Sequence, residues 1–373
     1  MNKKLYILGI RGVPAQHGGF ETFAEKLCLF LVARGWDVTV YCQEEGAGAK
    51  WESVWSGVKR IHIPVRQNGA LGTVVFDFLA TCDALKHQGL FLTLGYNTAV
   101  FNLMQRVWRQ VNIINMDGIE WKRGKWGRIA KSWFWLNERI GCWGGSHLVA
   151  DHPKIFEHLA TRVSKQKITM IPYGGDEINT ANVNLLGVYG LEPHKFSVII
   201  ARPEPENSFV EMVRAFSSQR RNHKLVVLGN FSPDVNPYHQ KVMADASDEV
   251  IFPGAIYNTA IVQALRFYCR FYLHGHRVGG TNPSLVEALG AGCAVIAHDN
   301  HFNRWVAGPG AVYFNDEKDC AVVLDNLLPD EEVYFKMKNS SRVRFNERFR
   351  WEQILQEYED LLFKWYPSDL EFK

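Results

Sequence analysis

The sequence predicts an α/β chain of two domains, each built on a parallel sheet, and three observations lead there. At 373 residues the chain has room for about two domains of ordinary size, each with its own core. Short apolar runs alternate with longer segments whose apolar residues recur at helical spacing, the pattern of strands crossed over by helices. Glycine-bearing loops stand where several of those runs end and a helix begins, which is where open α/β sheets bind ligands.

Composition narrows the function classes. Lys and Arg number 42 against 39 Asp and Glu, a formal net charge of +3, so there is no global attraction for nucleic acid and any basic patch is local. The seven cysteines, Cys28, Cys42, Cys82, Cys142, Cys269, Cys293 and Cys320, include no C-x-x-C pair. Several lie inside apolar runs, so they read as reduced core thiols of a cytosolic protein and not as metal ligands or a disulfide frame. The start of the chain is basic, but its apolar run is short and ends at Arg11, which predicts a first strand and not a signal peptide. No stretch approaches the roughly 20 apolar residues of a membrane-spanning helix.

The first strand runs into Arg11-Gly12-Val13-Pro14-Ala15-Gln16-His17-Gly18-Gly19-Phe20-Glu21-Thr22, a loop that opens a helix reaching about Ala33. Residues 38–42 form the next strand, completing a βαβ unit with its ligand loop at the carboxyl end of the first strand. Gly12, Gly18 and Gly19 lack the G-x-G-x-x-G spacing of dinucleotide sites. Strands at 60–65, 90–94 and 112–116, with helices around 73–87 and 97–109, continue the alternation. Gly95-Tyr96-Asn97 ends one strand at the same edge as the first loop.

The strand at 112–116 ends in Asp117-Gly118-Ile119-Glu120-Trp121-Lys122-Arg123. Asp117 and Glu120 can each orient a hydroxyl or assist removal of its proton; a solvated loop with its own charge pairs is the alternative. Residues 121–143 interleave Trp121, Trp126, Trp133, Trp135 and Trp143 with Lys122, Arg123, Lys125, Arg128, Lys131 and Arg139. Such a mixture suits an anionic membrane surface, and a helical core with an exposed basic edge is the bland reading. Domain boundaries are expected at 1–178, a polar linker at 179–190, a second domain at 191–350 and a terminal helix at 351–373.

The second domain opens with a buried strand at 196–202 that ends on Arg202, whose guanidinium can bridge two phosphate oxygens, then Glu204, Glu206 and Asn207. Further strands are expected at 225–228 and 271–276, the last carrying His274 and His276 at its end. Gly279-Gly280-Thr281-Asn282-Pro283-Ser284 then enters a helix marked by Leu285, Val286, Ala288 and Leu289. Pro283 suits the first turn, and Thr281, Asn282 or Ser284 can cap it. Such an end holds an anion, and Glu287, one turn in, can accept hydrogen bonds from vicinal hydroxyls such as those of a ribose. Gly290 to Ala297 is a tight turn followed by a buried strand.

The unit at 278–297 resembles the nucleotide-sugar site of GT-B glycosyltransferases, specifically the retaining family 4 type that contains many bacterial polysaccharide enzymes. In its E-x7-E pattern Glu287 matches the second acid, and Gly279 stands where the first would be. The resemblance implies two Rossmann-like domains with parallel sheets facing across a cleft, and a C-terminal helix crossing back to the first domain. It implies a donor site of Gly18, Gly19, Arg202, Asn207, Phe252, Tyr257, His274, His276, Gly280, Thr281, Asn282 and Glu287, with Asn207 where the family usually carries a lysine. Phe252 and Tyr257 lie in the segment that resembles the base-binding strand. His17, Tyr96, Asp117 and Glu120 fall on the acceptor side, and Asp117, Glu120 and Arg202 are the catalytic candidates. The arrangement calls for neither a metal nor a cofactor.

The motifs at 11–25 and 117–123 look like a subgroup that includes bacterial rhamnosyltransferases. They imply dTDP-rhamnose, or another nucleotide sugar, as donor and a lipid-linked glycan as acceptor, in a cytoplasmic protein peripheral on the inner face of the plasma membrane. The sugar-enzyme motifs favour lipid over nucleic acid for the basic tryptophan stretch. A sugar-nucleotide epimerase of the same fold and a catalytically inactive glycan-binding protein are the rivals.

Overall fold

The computed structural model describes residues 3–16 and 18–367. Among the expected site residues, His17 lies outside the described residues. The chain forms two compact units. The first runs to Pro172 and resumes at Trp351, and the second is Tyr173–Arg350.

In the first unit the strands are β1 (Lys4–Leu8), β2 (Asp37–Glu45), β3 (Trp51–Trp55), β4 (Val58–Val65), β5 (Leu90–Leu94), β6 (Asn112–Asn115), β7 (His147–Ala150) and β8 (Ile168–Met170). They form one sheet in the order β3-β4-β2-β1-β5-β6-β7-β8. Every pairing is parallel except that of β3 with β4. The helices are α1 (Gly19–Ala33), α2 (Gly69–Ala84), α3 (Asn102–Val107), α4 (Arg128–Gly144) and α5 (Pro153–Leu159). β1 is hydrophobic towards both faces because helices cover both: Tyr6 and Leu8 join Phe76 and Ala80 of α2, and Leu5 and Ile7 are also fully buried. The antiparallel β3–β4 hairpin is an addition to the expected parallel sheet. Ser56 and Gly57 turn it, both with positive φ of 48° and 84°, the twist that suits a two-residue hairpin loop.

The last helix, Trp351–Trp365, belongs to the first unit. Its Tyr358 ring lies 4.5 Å from Phe23 of α1, and its Glu359 accepts a hydrogen bond from the Trp36 indole at 3.1 Å.

In the second unit the strands are β9 (Phe196–Ile200), β10 (Lys224–Leu228), β11 (Val250–Gly254), β12 (Phe271–His274), β13 (Ala294–His298) and β14 (Val312–Phe314). All run parallel in the order β11-β10-β9-β12-β13-β14. The helices are α6 (Phe209–Ser217), α7 (Pro237–Ala244), α8 (Thr259–Tyr268), α9 (Pro283–Gly290), α10 (His301–Ala307), α11 (Glu317–Leu327) and α12 (Glu331–Arg348). Alternate residues of each strand feed two cores. Leu225 and Val227 pack with α6 and α11, while Val226 and Leu228 pack with α8 and α9.

Residues 173–190 belong to this second unit and do not form the expected 179–190 linker. The Gly175 N–H donates to Phe349 O at 2.7 Å and the Ile178 N–H to Gly290 O at 2.9 Å. Leu186, in the short helical turn Val183–Tyr189, is 1% exposed within the core. The polar composition of the stretch hid the few apolar residues that tie it down.

Candidate functional site

Both sheets have a topological switch point, where successive strands diverge to either side and the loops at their carboxyl ends leave a crevice for ligands. In the second unit it lies between β9 and β12, and in the first between β1 and β5. The expected site residues gather mainly on the loops of these strands and their neighbours.

In the second unit, Arg202 follows β9 on an exposed loop, and its guanidinium has no hydrogen bond or ion pair among the described residues. Neither Glu204 nor Glu206 pairs with it among the described residues. Asn207, expected in the donor site, is turned into its own loop. It is 5% exposed and its amide donates to Arg202 O at 2.8 Å, closing the loop on which Arg202 stands.

The loop after β12 is tied to the same turn. Ser208 Oγ donates to Gly275 O at 2.9 Å and accepts from Arg277 Nε at 2.8 Å, and the Arg277 N–H donates to Glu206 O at 3.0 Å. A Cβ at Gly275 would lie 2.2 Å from Asn207 O, so only glycine permits this approach.

Asn282 is the N-cap of α9, its side chain accepting from the Ser284 N–H at 3.0 Å with Pro283 at the first position. Its amide therefore organises the helix end. Thr281 is 3% exposed. Gly279 has φ of 148° with open space where a side chain would begin. The backbone here is one that L side chains rarely adopt, so the position of the missing first acid is shaped for glycine.

Glu287 pairs with Arg266 of α8, Nη2 to Oε2 at 2.5 Å, and the same guanidinium reaches Ser284 Oγ at 3.3 Å. Burial alone would lower the pKa of Arg266, but Glu287, with Tyr272 and Cys293, more than offsets it and raises it. Arg266 is therefore a fixed cation that aims one carboxylate oxygen of Glu287 and leaves the other to accept. Sequence reasoning missed Arg266, because an arginine in the last turn of a helix carries no local sign of its partner.

His274, at the end of β12, is 1% exposed and stacks on His276 with centroids 4.3 Å apart. Burial, aided by His276 and His298, holds its pKa well below the usual value, so the ring is neutral. It supports His276 from behind, and His276 is the more accessible of the two. Phe252 on β11 packs its ring 5.2 Å from Phe231, whereas Tyr257 is 85% exposed on the loop beyond.

In the first unit, Gly18 precedes α1 and Gly19 opens it at the carboxyl edge of β1. Tyr96, expected on the acceptor side, is instead 1% exposed, and its hydroxyl accepts from the Glu120 N–H at 2.8 Å. Burial keeps its phenol from ionising. Glu120 is likewise committed. It is 7% exposed, meets Arg123 Nε at 2.9 Å and accepts from Trp126 Nε1 at 3.1 Å. Of the two acids after β6, Asp117 is the more accessible, and it holds φ of 50° with its N–H donating to Asn115 Oδ1 at 3.0 Å. A left-handed aspartate at a strand end is a local cost of the kind found at functional sites.

Residues 2–176 match a family described as a domain of unknown function (DUF1972), and residues 189–344 match Glycosyl transferases group 1. A comparison with curated protein sequences finds no match. Among solved structures, sucrose-phosphate synthase from Thermosynechococcus elongatus is similar at a TM-score of 0.82 and 16% identity, over 97% of this chain and 99% of that one. Anabaena HepE in complex with UDP and glucose is similar at 0.75 and 13% identity, over 97% and 99%. An E. coli structure titled trehalose-6-phosphate, bound with UDP-2-fluoro glucose, is similar at 0.74 and 9% identity, over 97% and 99%. The chain thus has two Rossmann-like domains in the GT-B glycosyltransferase fold, and its second unit carries a group 1 glycosyltransferase domain.

Proposed function

We propose, from the GT-B fold and the group 1 domain at residues 189–344, that this chain transfers a sugar from a nucleotide donor to a hydroxyl of a growing, lipid-linked bacterial cell-surface polysaccharide, with retention at the anomeric carbon. The donor in this reading is dTDP-rhamnose, motivated by the motifs at 11–25 and 117–123. The observation that carries the proposal is the unpartnered guanidinium of Arg202 on the loop after β9, laced to the loop after β12 that leads into α9.

Negative charge accumulates on the diphosphate as the sugar departs, and a preorganised cation there stabilises the transition state more than the ground state. Arg202 supplies that charge, and the backbone of Gly280 and Thr281 at the capped start of α9 supplies N–H donors. Glu287, steadied by Arg266, takes the ribose hydroxyls. In the first unit, Asp117 orients the acceptor hydroxyl and eases loss of its proton.

Turnover with a panel of nucleotide sugars tests the donor. Transfer of another sugar with none of rhamnose rejects dTDP-rhamnose, and release of nucleotide without acceptor-linked product favours an epimerase. Arg202→Ala should lower kcat by about 10²–10³ with the fold intact, and unchanged turnover would remove Arg202 from the reaction.

The membrane reading has its own support in α4, which is turned inside out. Its inward residues include Asn137 and Glu138, at most 1% exposed, and Glu138 accepts from Trp121 Nε1 at 2.6 Å and pairs with His158 at 3.0 Å. Its outer surface carries Ile129, 89% exposed, and Trp143, 60% exposed, with Trp133, Trp135 and Leu136. Arg139 stacks on Trp135 at 3.5 Å and Arg106 on Trp143 at 4.5 Å. Trp126 and Trp133 donate to Glu120 and Asn97 O, so part of the tryptophan run is structural. No helix among the described residues is long and apolar enough to cross a membrane; α4 would lie on one. Cosedimentation with vesicles should show binding to phosphatidylglycerol but not to phosphatidylcholine alone, weakened in Ile129→Ser/Trp143→Ser. Absence of binding to the anionic vesicles sinks this reading.

A further inference from the structure

A cavity of 390 Å³ opens at the opposite, amino-terminal edge of the second unit's sheet. Lys195 immediately precedes β9, the turn 219–223 precedes β10 and Arg270 precedes β12, while Asp325 of α11 and Glu331 of α12 close the other side. The five-residue β9 separates it from Arg202 by about 16 Å, so it is not part of the donor site.

The charges around this cavity do not balance. Arg221 Nη2 meets Asp325 Oδ1 at 2.6 Å, and Arg270 Nη1 meets Glu331 Oε1 at 2.5 Å. Those pairs cancel. Lys195 and Arg220 remain, both exposed and both without an acidic partner among the described residues, so four cations against two carboxylates leave two positive charges. His194 and His223 also line the cavity. Burial first, and then nearby cations, lower both pKa values, that of His223 to about 4, so neither adds charge near neutrality.

A purely structural role explains Arg221 and Arg270 as clamps on neighbouring loops and helix ends. It leaves Lys195 and Arg220 unexplained. It also leaves the Nε–H groups of Arg221 and Arg270 buried without a hydrogen-bond partner, on side chains only 3% and 5% exposed. Two surplus positive charges on the lining match a dianion with several acceptor oxygens. The volume lies within the range of about 300–1,000 Å³ typical of small-molecule sites, larger than a bare ion requires.

We propose that this cavity binds the phosphate monoester of a small metabolite, at a second site separate from the nucleotide sugar. The full-length chain is titrated calorimetrically with inorganic phosphate, a hexose monophosphate and the uncharged hexose, with and without UDP. The phosphate compounds should bind, the hexose should not, and UDP should leave their binding unchanged. Lys195→Ala/Arg220→Ala, both surface changes, should weaken phosphate binding at least tenfold while the thermal midpoint of the ligand-free protein stays the same. The proposal is overturned if neither phosphate compound binds, if the double variant binds as well as the parent, or if UDP displaces the ligand, which would place it in the donor site.

Discussion

Asp77 is an acid held against its own chemistry. It sits on α2, nearly buried, and burial pushes its pKa up to about 6, even though Thr98 Oγ1 donates to its carboxylate at 2.7 Å. An unfolded aspartate titrates near 3.9, so the native state holds its proton more tightly than the unfolded state. This group therefore favours folding at low pH and loses that contribution as pH rises through about 6. Above that pH the ionised carboxylate costs about 2–3 kcal/mol. Asp77→Asn keeps an acceptor for Thr98 and removes the charge. Chemical unfolding should show the variant more stable than the parent by about 1–3 kcal/mol at pH 8, with the gap closing as pH falls from 6 towards 4. A gap independent of pH would mean that Asp77 is not the titrating group. The contrast with Glu287 is one of partners: Glu287 has a fixed cation in Arg266, and Asp77 has only a hydroxyl.

At the scale of elements, the site depends on two loops that approach more closely than any side chain allows. Gly275→Ala would press its methyl against the Asn207 carbonyl and the Met212 methyl, 2.2 and 2.6 Å away; the methionine can turn aside, but the carbonyl is backbone on the loop that carries Arg202. Overpacking of this kind costs about 1–3 kcal/mol. Urea unfolding should show that loss, and nucleotide titration should show an affinity drop in the folded variant as well; a variant normal in both would mean that the lacing of the loops is unimportant. This contact was not legible in the sequence, where Gly275 is one glycine between two histidines. What was legible had a local signature: the loop–helix unit with Pro283 at its first position, the acid Glu287 one turn in, and the buried strands, whose uninterrupted apolar runs follow from helices on both faces. The β3–β4 hairpin had a signature too, the Ser56-Gly57 pair between alternating residues, but its polar outer face lacks the apolar run that marks the other strands. Tyr96, Glu120 and Asn207 stand on the expected loops but are buried in hydrogen bonds within them, because a loop's position follows from strand order whereas a side chain's direction follows from its partners.

At the scale of the molecule, the two units differ in how they depend on chain continuity. Both cores of the second unit draw all their residues from 178–349, so the segment 173–350 has its sheet and both helical layers within itself. The first unit is completed only by Trp351–Trp365, which buries Trp351, Ile354, Leu355, Tyr358, Leu361 and Leu362. The same helix provides Tyr358 OH as acceptor for Asn115 Nδ2 at 2.8 Å and Glu359 as the partner of Arg34 at 3.0 Å. Six large side chains at about 1.5–3 kcal/mol each amount to a total comparable to the whole stability of a typical domain, about 5–15 kcal/mol, even after part is discounted for residual burial in the unfolded chain. A chain ending at Arg350 should therefore lose the cooperative transition of its first unit, although every strand of that unit is still present, while 173–350 alone should unfold in a single cooperative step. Calorimetry on both fragments beside the full chain checks this. Preservation of the first unit's transition in 1–350 would show that the terminal helix decorates a sheet that is stable without it, and would move the source of that unit's stability to the face covered by α2.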